Sequence, residues 1–368
     1  MQNIVSYIIY MTAFGLSILG SWQYSIQKNK GAHKQRLIFW IVLTIVPVTI
    51  LQGCRYNVGT DYQSYITLYQ GFAAENETVI SWYLNEPLFI LFCRGVHFLF
   101  HGSNTAFFLI DAVIMNILLF RIFDYYQQYV NMPILYMCYY ALCFPYFLNL
   151  ERQGLAVILV WYSTKYVHEK KLWKFLICIL IATLLHNTAI IGLALYFINF
   201  LGGKSAKLWK QIILAGAIIV PIGFNQILNF LGNHFVIFQK YTKFMANSTQ
   251  EITISNLLYM LVLMAVLLIF RNFLKDSVID IYWVEILCIA QLSTYVLNNY
   301  IDWGFRMSFY FEIALMYAYA LFYNKLQYKS NRRLLIAFLG CMLLFNFTYK
   351  FYIQGNSEIF PYMFVWNQ

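Results

Sequence analysis

The sequence predicts an all-α, polytopic membrane helical bundle, and three observations lead there. Of its 368 residues, 61% are hydrophobic, 20% aromatic and only 11% charged, whereas an ordinary soluble chain carries about 25% charged residues. The apolar residues recur in runs of roughly 17–22, the length a helix needs to cross a hydrocarbon layer about 30 Å thick. Short, lysine-dense connections separate the runs. This pattern excludes a soluble enzyme. It also changes the meaning of the net charge of +10, which would point to nucleic acid in a soluble chain but here is read by position. No nucleic-acid partner is expected.

The basic connections set the topology. Lys28, Lys30, Lys34 and Arg36 form the first; Lys165, Lys170, Lys171 and Lys174 the next; then Lys204, Lys207 and Lys210, and last Lys325, Lys329, Arg332 and Arg333. By the positive-inside rule these loops are cytoplasmic. Ten full spans are then expected near 3–22, 37–54, 104–121, 132–149, 152–168, 211–231, 253–271, 280–299, 307–324 and 334–351, with both termini outside. The first run has no basic residue before it and no small-residue cleavage site after it, so it reads as a retained span rather than a signal peptide.

Two segments do not fit a simple count. Pro87 to His101 is apolar but short, carries Arg94 and His97, and would invert every later loop if it crossed. It reads as an interfacial or re-entrant helix closing an external loop that begins at Arg55. Leu172 to Leu201 is too long for one span and is flanked by lysines at both ends. It reads as a two-armed hairpin with His186 near its apex; arms of about 14 residues rise roughly 21 Å, so the apex faces a cavity below the outer surface. The whole of 1–368 is thus one polytopic domain, with an external loop and interfacial helix at about 55–101 and a second external loop at about 232–252. The seven cysteines lie in or beside apolar segments with no Cys-x-x-Cys, which argues against a disulfide framework and a zinc site.

Seven basic residues lie off the cytoplasmic face: Lys240, Lys243 and Lys350 in surface loops or at a span end, and Arg55, Arg94, Arg152 and Arg306 at or within apolar segments; it is the second group that breaks the pattern. All four of that group are arginines, although lysine predominates in the cytoplasmic loops. A guanidinium is a permanently charged planar fork that binds phosphate oxygens bidentately, whereas an ammonium is a point charge. An anionic ligand at the outer face is the simplest common cause; snorkelling to lipid phosphates or pairing with a carboxylate is the plain alternative.

The densest stretch is Arg55-Tyr56-Asn57-Val58-Gly59-Thr60-Asp61-Tyr62-Gln63-Ser64-Tyr65. Gly59 permits a tight turn, Thr60 or Asp61 can cap a following helix, and Tyr62 and Tyr65 lie one helical turn apart. Further on, Glu86 opens the interfacial helix ahead of Pro87, where a carboxylate also suits the helix dipole; both acids can be read as caps alone. Glu151-Arg152-Gln153-Gly154 opens a span, which puts Arg152 where the dipole disfavours positive charge. Either Glu151 neutralises it, or the guanidinium and the helix N–H groups together hold an anion. His186-Asn187-Thr188-Ala189 offers an imidazole for proton transfer, or a histidine that merely satisfies a carbonyl. Asp302 in the loop before Arg306 can pair with it. Asp111, Glu285 and Glu312 lie within expected spans, where carboxylates are costly and are functional candidates.

With Arg55, the Gly59-Thr60-Asp61 turn, Tyr65, Glu86, Arg152 and the His186-Asn187-Thr188-Ala189 apex in this order, the sequence resembles the EpsG family of Wzy-type bacterial polysaccharide polymerases over most of its length. The Arg-x-x-x-Gly-Thr-Asp-x-x-x-Tyr element carries most of that likeness. The chain also looks like the wider C-type glycosyltransferase plan, a likeness at the level of fold. The resemblance implies a multi-pass glycosyltransferase of the bacterial cytoplasmic membrane that joins lipid-linked repeat units outside the cell in capsule or exopolysaccharide synthesis. Its donor and acceptor would be oligosaccharides on a polyprenyl diphosphate such as undecaprenyl diphosphate, and its neighbours membrane lipid and other polysaccharide export proteins.

Such a reaction expels a diphosphate from an anomeric carbon while a hydroxyl attacks. Arginines offset the developing charge, and a carboxylate or imidazole takes the proton. Arg55, Arg94, Arg152 and Arg306, with Tyr65 and Gln153, are the expected diphosphate contacts, and Asp61, Glu86 and His186 the catalytic candidates. Nothing in the sequence ranks those three. No cofactor is expected, and the absence of Asp-x-Asp gives no indication of a divalent metal. A transporter or flippase of lipid-linked oligosaccharide also needs an anion site, but alternating access predicts polar groups near the midplane; a membrane O-acyltransferase is a third reading.

Overall fold

The computed structural model describes residues 2–197 and 304–367, with short stretches at 226–227, 229–234 and 290–291. Among the described residues there is no strand, only an isolated bridge between Arg55 and Phe364, and the all-α expectation holds. The chain divides into two compact units, Met1–Ile190 with Leu326–Gln368, and Ile191–Lys325.

In the first unit, α1 (Gln2–Asn29) and α2 (Lys34–Gly53) form an antiparallel pair. α1 buries Ser17, Gly20 and Ser21, and this small-residue stripe lets the backbones meet: a Cβ on Gly20 would lie 2.7 Å from Thr44 N. Ser17 Oγ donates to Thr44 O at 2.5 Å across the seam. Such packing replaces a hydrophobic drive that lipid does not supply. The opposite faces expose Ile4, Ile8, Leu19, Phe39 and Val42, as expected where the solvent is hydrocarbon.

After α2 the chain turns through Arg55–Asp61 into α3 (Tyr62–Ala73), α4 (Glu77–Trp82) and α5 (Pro87–Leu99). At 13 residues α5 is about 20 Å long, too short to cross the hydrocarbon. α6 (Asn104–Tyr126) is capped by Ser103, whose side chain accepts from Ala106 N, and packs on α2 and on α9 (Glu151–His168). α1, α2, α6 and the helical stretch Lys329–Ile353 are long and apolar enough to span a membrane; α9 covers the expected span 152–168 without a break but carries Glu151, Arg152 and Lys165, and the expected spans 132–149 and 307–324 are broken.

One of these is 132–149, which divides into α7 (Met132–Leu142) and α8 (Phe144–Phe147). Pro145 lacks the N–H that would bond Ala141 O and constrains the residue before it. The released carbonyl is taken by Asn346 Nδ2 at 3.4 Å, from α13 below. α10 (Leu172–Leu185) runs back along α9 and stops at His186, whose φ of −153° and ψ of 118° leave the helical region. A 3₁₀ turn, Asn187–Leu193, and α11 (Ala194–Phe197) follow. The rest of the expected hairpin, the spans near 211–231, 253–271 and 280–299, and the loop at 232–252 lie largely or wholly outside the described residues.

In the second unit a 3₁₀ helix, Gly304–Phe311, leads into the deeply buried α12 (Glu312–Lys325). α13 (Lys329–Phe347) returns the chain to the first unit and ends in a π turn, Thr348–Ile353. The tail then crosses the Arg55–Asp61 turn. Tyr56 N donates to Met363 O at 2.8 Å, Val365 N to Cys54 O at 2.9 Å and Gly59 N to Glu358 O at 3.0 Å. Tyr10 and Tyr362 fasten it from inside, their hydroxyls donating to Ile359 O and Leu51 O.

Candidate functional site

Neither acid of the loop expected to be external caps its helix. Asp61 and Glu86 stand at the cap positions of α3 and α5, and neither side chain accepts a bond from the helix behind it. The carboxylate of Glu86 instead turns inward, where the residue is only 3% exposed. Its Oε2 is gripped by Arg152 Nη1. Its Oε1 receives His186 Nδ1 at 2.7 Å and Asn187 N at 3.3 Å. Three segments distant in sequence thus meet on one carboxylate: the start of α5, the first turn of α9 and the end of α10.

The local sequence explains each placement. Pro87 fixes the first turn of α5 and frees the residue before it from helical geometry. α10 ends at His186, so the imidazole and the first N–H of the 3₁₀ turn point the same way. Arg152 is laid over aromatic faces, its guanidinium carbon 4.5 Å from the Tyr83 ring centre and 5.7 Å from that of Phe89. Tyr65, buried on α3, places its hydroxyl against the same guanidinium. Burial alone would raise the Glu86 pKa, but the hydrogen bond from His186, the positive charge of Arg152 and the Asn187 N–H outweigh it and hold the carboxyl below its ordinary value. The anion is the state this pocket is built for.

Because an ionised carboxylate only accepts, His186 donates to it from Nδ1, and Nε2 is the ring nitrogen that Glu86 does not engage. Arg152 Nε is buried and has no hydrogen-bond partner among the described residues. An imidazole and a guanidinium are therefore held side by side by one carboxylate. Among the described residues no group of three or more histidine, cysteine or acidic side chains is placed to hold a metal ion.

The other expected site residues are distributed differently. Arg55 is fully buried and paired with Glu151; its Nε donates to Val58 O at 3.2 Å, Nη1 to Gln52 O at 2.6 Å and Nη2 to Leu148 O at 2.8 Å. Its fork is committed to the protein, and Glu151 serves Arg55 rather than neutralising Arg152. Arg94 sits on the surface, with Nε donating to Phe72 O at 3.0 Å and Nη2 3.6 Å from Glu75. Gln153 is buried in α9. Arg306 is half-buried in the second unit, and its expected partner Asp302 is outside the described residues. Asp61 is half-buried one turn before Tyr65, its N–H donating to Asn149 Oδ1 at 3.4 Å.

Asn149, Tyr83 and Phe89 were not legible as site residues. Asn149 also donates from Nδ2 to Ser357 O at 2.8 Å, so it joins the tail to the Gly59-Thr60-Asp61 turn just before Glu151 and Arg152. A polar residue at the mouth of an apolar run was the available signal. The two aromatics carried none, since such residues abound in interfacial belts.

The sequence model of the EpsG family matches residues 38–364, nearly the whole chain. No curated protein and no solved structure matches it. With a helical membrane architecture, an arginine–carboxylate–histidine cluster beside the Arg55–Tyr65 element, and a family match of this extent, the chain is a member of the EpsG family.

Proposed function

We propose that this protein polymerises polysaccharide by transferring a growing glycan from a polyprenyl diphosphate to the repeat unit of a second lipid-linked molecule, at the outer face of the cytoplasmic membrane. The observation that carries this reading is the shared grip of Glu86 on Arg152 and His186. Transfer to a hydroxyl needs a base at the nucleophile and a cation at the leaving diphosphate, only a few ångströms apart.

In this reading His186 Nε2 takes the proton of the acceptor hydroxyl as its oxygen bonds to the anomeric carbon. The bond from that carbon to the phosphate oxygen breaks, and the electron pair leaves with the diphosphate. Arg152 offsets the developing charge, with Nε the donor left for a phosphate oxygen. Glu86 fixes the imidazole tautomer and stabilises the imidazolium that forms. Tyr65 orients Arg152, and Asp61, whose carboxylate makes no cap bond, is assigned to sugar hydroxyls. Arg94 is assigned to secondary contacts with the lipid-linked substrate, and Gln153 to supporting the first turn of α9. Arg55 is assigned to the frame beneath the site.

The test is to give the purified protein, in liposomes, a lipid-linked repeat unit. A time-dependent ladder of longer glycans is expected. Movement of the unit across the bilayer without elongation would instead indicate a transporter.

A further inference from the structure

A second ionic group lies wholly inside the bundle, and its charges do not balance. Arg55 and Glu151 are both fully buried and paired through Glu151 Oε1. Asp111, on the facing side of α6, is also fully buried, and its carboxyl lies within hydrogen-bonding reach of Glu151. The other titratable neighbours are phenols and a thiol: Tyr139 of α7, with its hydroxyl buried and unpartnered, Cys93 of α5, and Tyr10, Tyr62 and Tyr362 near Arg55. Two acids therefore face one guanidinium.

As two anions, the acids could not bond one another, because carboxylates only accept. Neither oxygen of Asp111 nor Oε2 of Glu151 receives a donor from the described residues, and an uncompensated buried charge is strongly unfavourable. One proton removes both difficulties: it supplies the missing donor and leaves one anion for one cation. Arg55 holds Glu151 by Oε1, which marks Glu151 as the anion and its Oε2 as the acceptor.

We infer that Asp111 is a proton-binding site, its neutral carboxyl donating to Glu151 Oε2 so that Asp111, Glu151 and Arg55 form one neutral unit. Glu151 directly precedes Arg152, so this unit anchors the turn of α9 that presents Arg152 to Glu86. The inference stands on the buried network and does not depend on the proposed reaction.

Infrared spectroscopy of the purified full chain at neutral pH tests it. The wild type should show a carbonyl band of a protonated carboxylic acid that shifts when aspartate is labelled with ¹³C at the side-chain carboxyl. The band should vanish in Asp111→Asn, whose amide keeps a neutral donor, with the thermal midpoint close to that of wild type. It should also vanish in Glu151→Gln, where Asp111 ionises to balance Arg55, and the double variant should be the least stable. Absence of a label-sensitive band in the wild type, or its persistence in Asp111→Asn, would overturn the inference. Should the variants fail to fold, absence of a label-sensitive band in the wild type still overturns the inference.

Discussion

At the scale of single residues, the site turns on how Glu86 divides its two oxygens between a guanidinium and an imidazole. Arg152→Lys keeps the charge but loses the fork, and a bidentate contact made mainly in the transition state is worth roughly 2–4 kcal/mol, about 30- to 1000-fold in rate. Glycan length against time at matched membrane expression should show that loss; wild-type rates would make Arg152 an interfacial anchor. Glu86 also carries a pH signature. Its folded pKa is depressed, so its contribution to stability is complete above the ordinary carboxylate range and is lost as pH falls through the lower, folded value. The thermal midpoint of Glu86→Gln should therefore lie below wild type at neutral pH, and the gap should narrow in acid. A constant gap would mean that the carboxylate's charge is not what stabilises. The sequence made Glu86, Arg152 and His186 conspicuous, because charge at the edge of an apolar run is rare. It could not pair them, since the partners are 66 and 100 positions apart. Nor could it separate Arg55 from Arg152: both are arginines at the end of an apolar run, and only packing distinguishes a buried staple from a fork that is not fully committed to the protein.

Among the elements, the tail and the Arg55–Asp61 turn are the least expected association. Asn149 joins them, bonding Ser357 O and the Asp61 N–H. Asn149→Ala should lower unfolding stability by about 0.5–1.5 kcal/mol for each hydrogen bond lost to these half-buried partners. Gly59→Ala should be worse, because Gly59 has a φ of +101° and a new Cβ would lie 2.3 Å from Asn149 Oδ1. Thermal midpoints of the purified variants check both, and a Gly59→Ala midpoint equal to wild type would show that the turn does not need its left-handed geometry. The long helices of this unit were legible, because hydrophobic run length is a strong signal; the six-residue α4 was not. Helix continuity was not. Pro145 breaks 132–149, yet proline is tolerated inside membrane helices, as Pro47 is in α2. What separates the cases is whether a neighbour, here Asn346, rewards the break.

For the whole molecule, the proposed chemistry requires that the Glu86 end face outward. Lys28 and Asp124 tie α1 to α6 at the basic end, while the cluster lies where α2 ends and α9 begins. In a background free of native cysteines, Gln63→Cys should react with an impermeant reagent from outside and Lys171→Cys should not; the reverse pattern would invert the topology. Both positions are exposed, so access is decided by sidedness alone. The lysine distribution supplies the expected orientation, whereas the convergence of three segments on one carboxylate appears only in the folded chain. The central claim is that Glu86, Arg152 and His186 act as one unit, and residues that act together are strongly non-additive. The most direct measurement is the rate of glycan elongation by purified wild type, Glu86→Gln, His186→Gln and the double variant on a lipid-linked repeat unit. The account predicts that each single variant loses about 100-fold or more and that the double variant is little worse than the poorer single one. Single variants that elongate at the wild-type rate, or losses that multiply in the double variant, would contradict it.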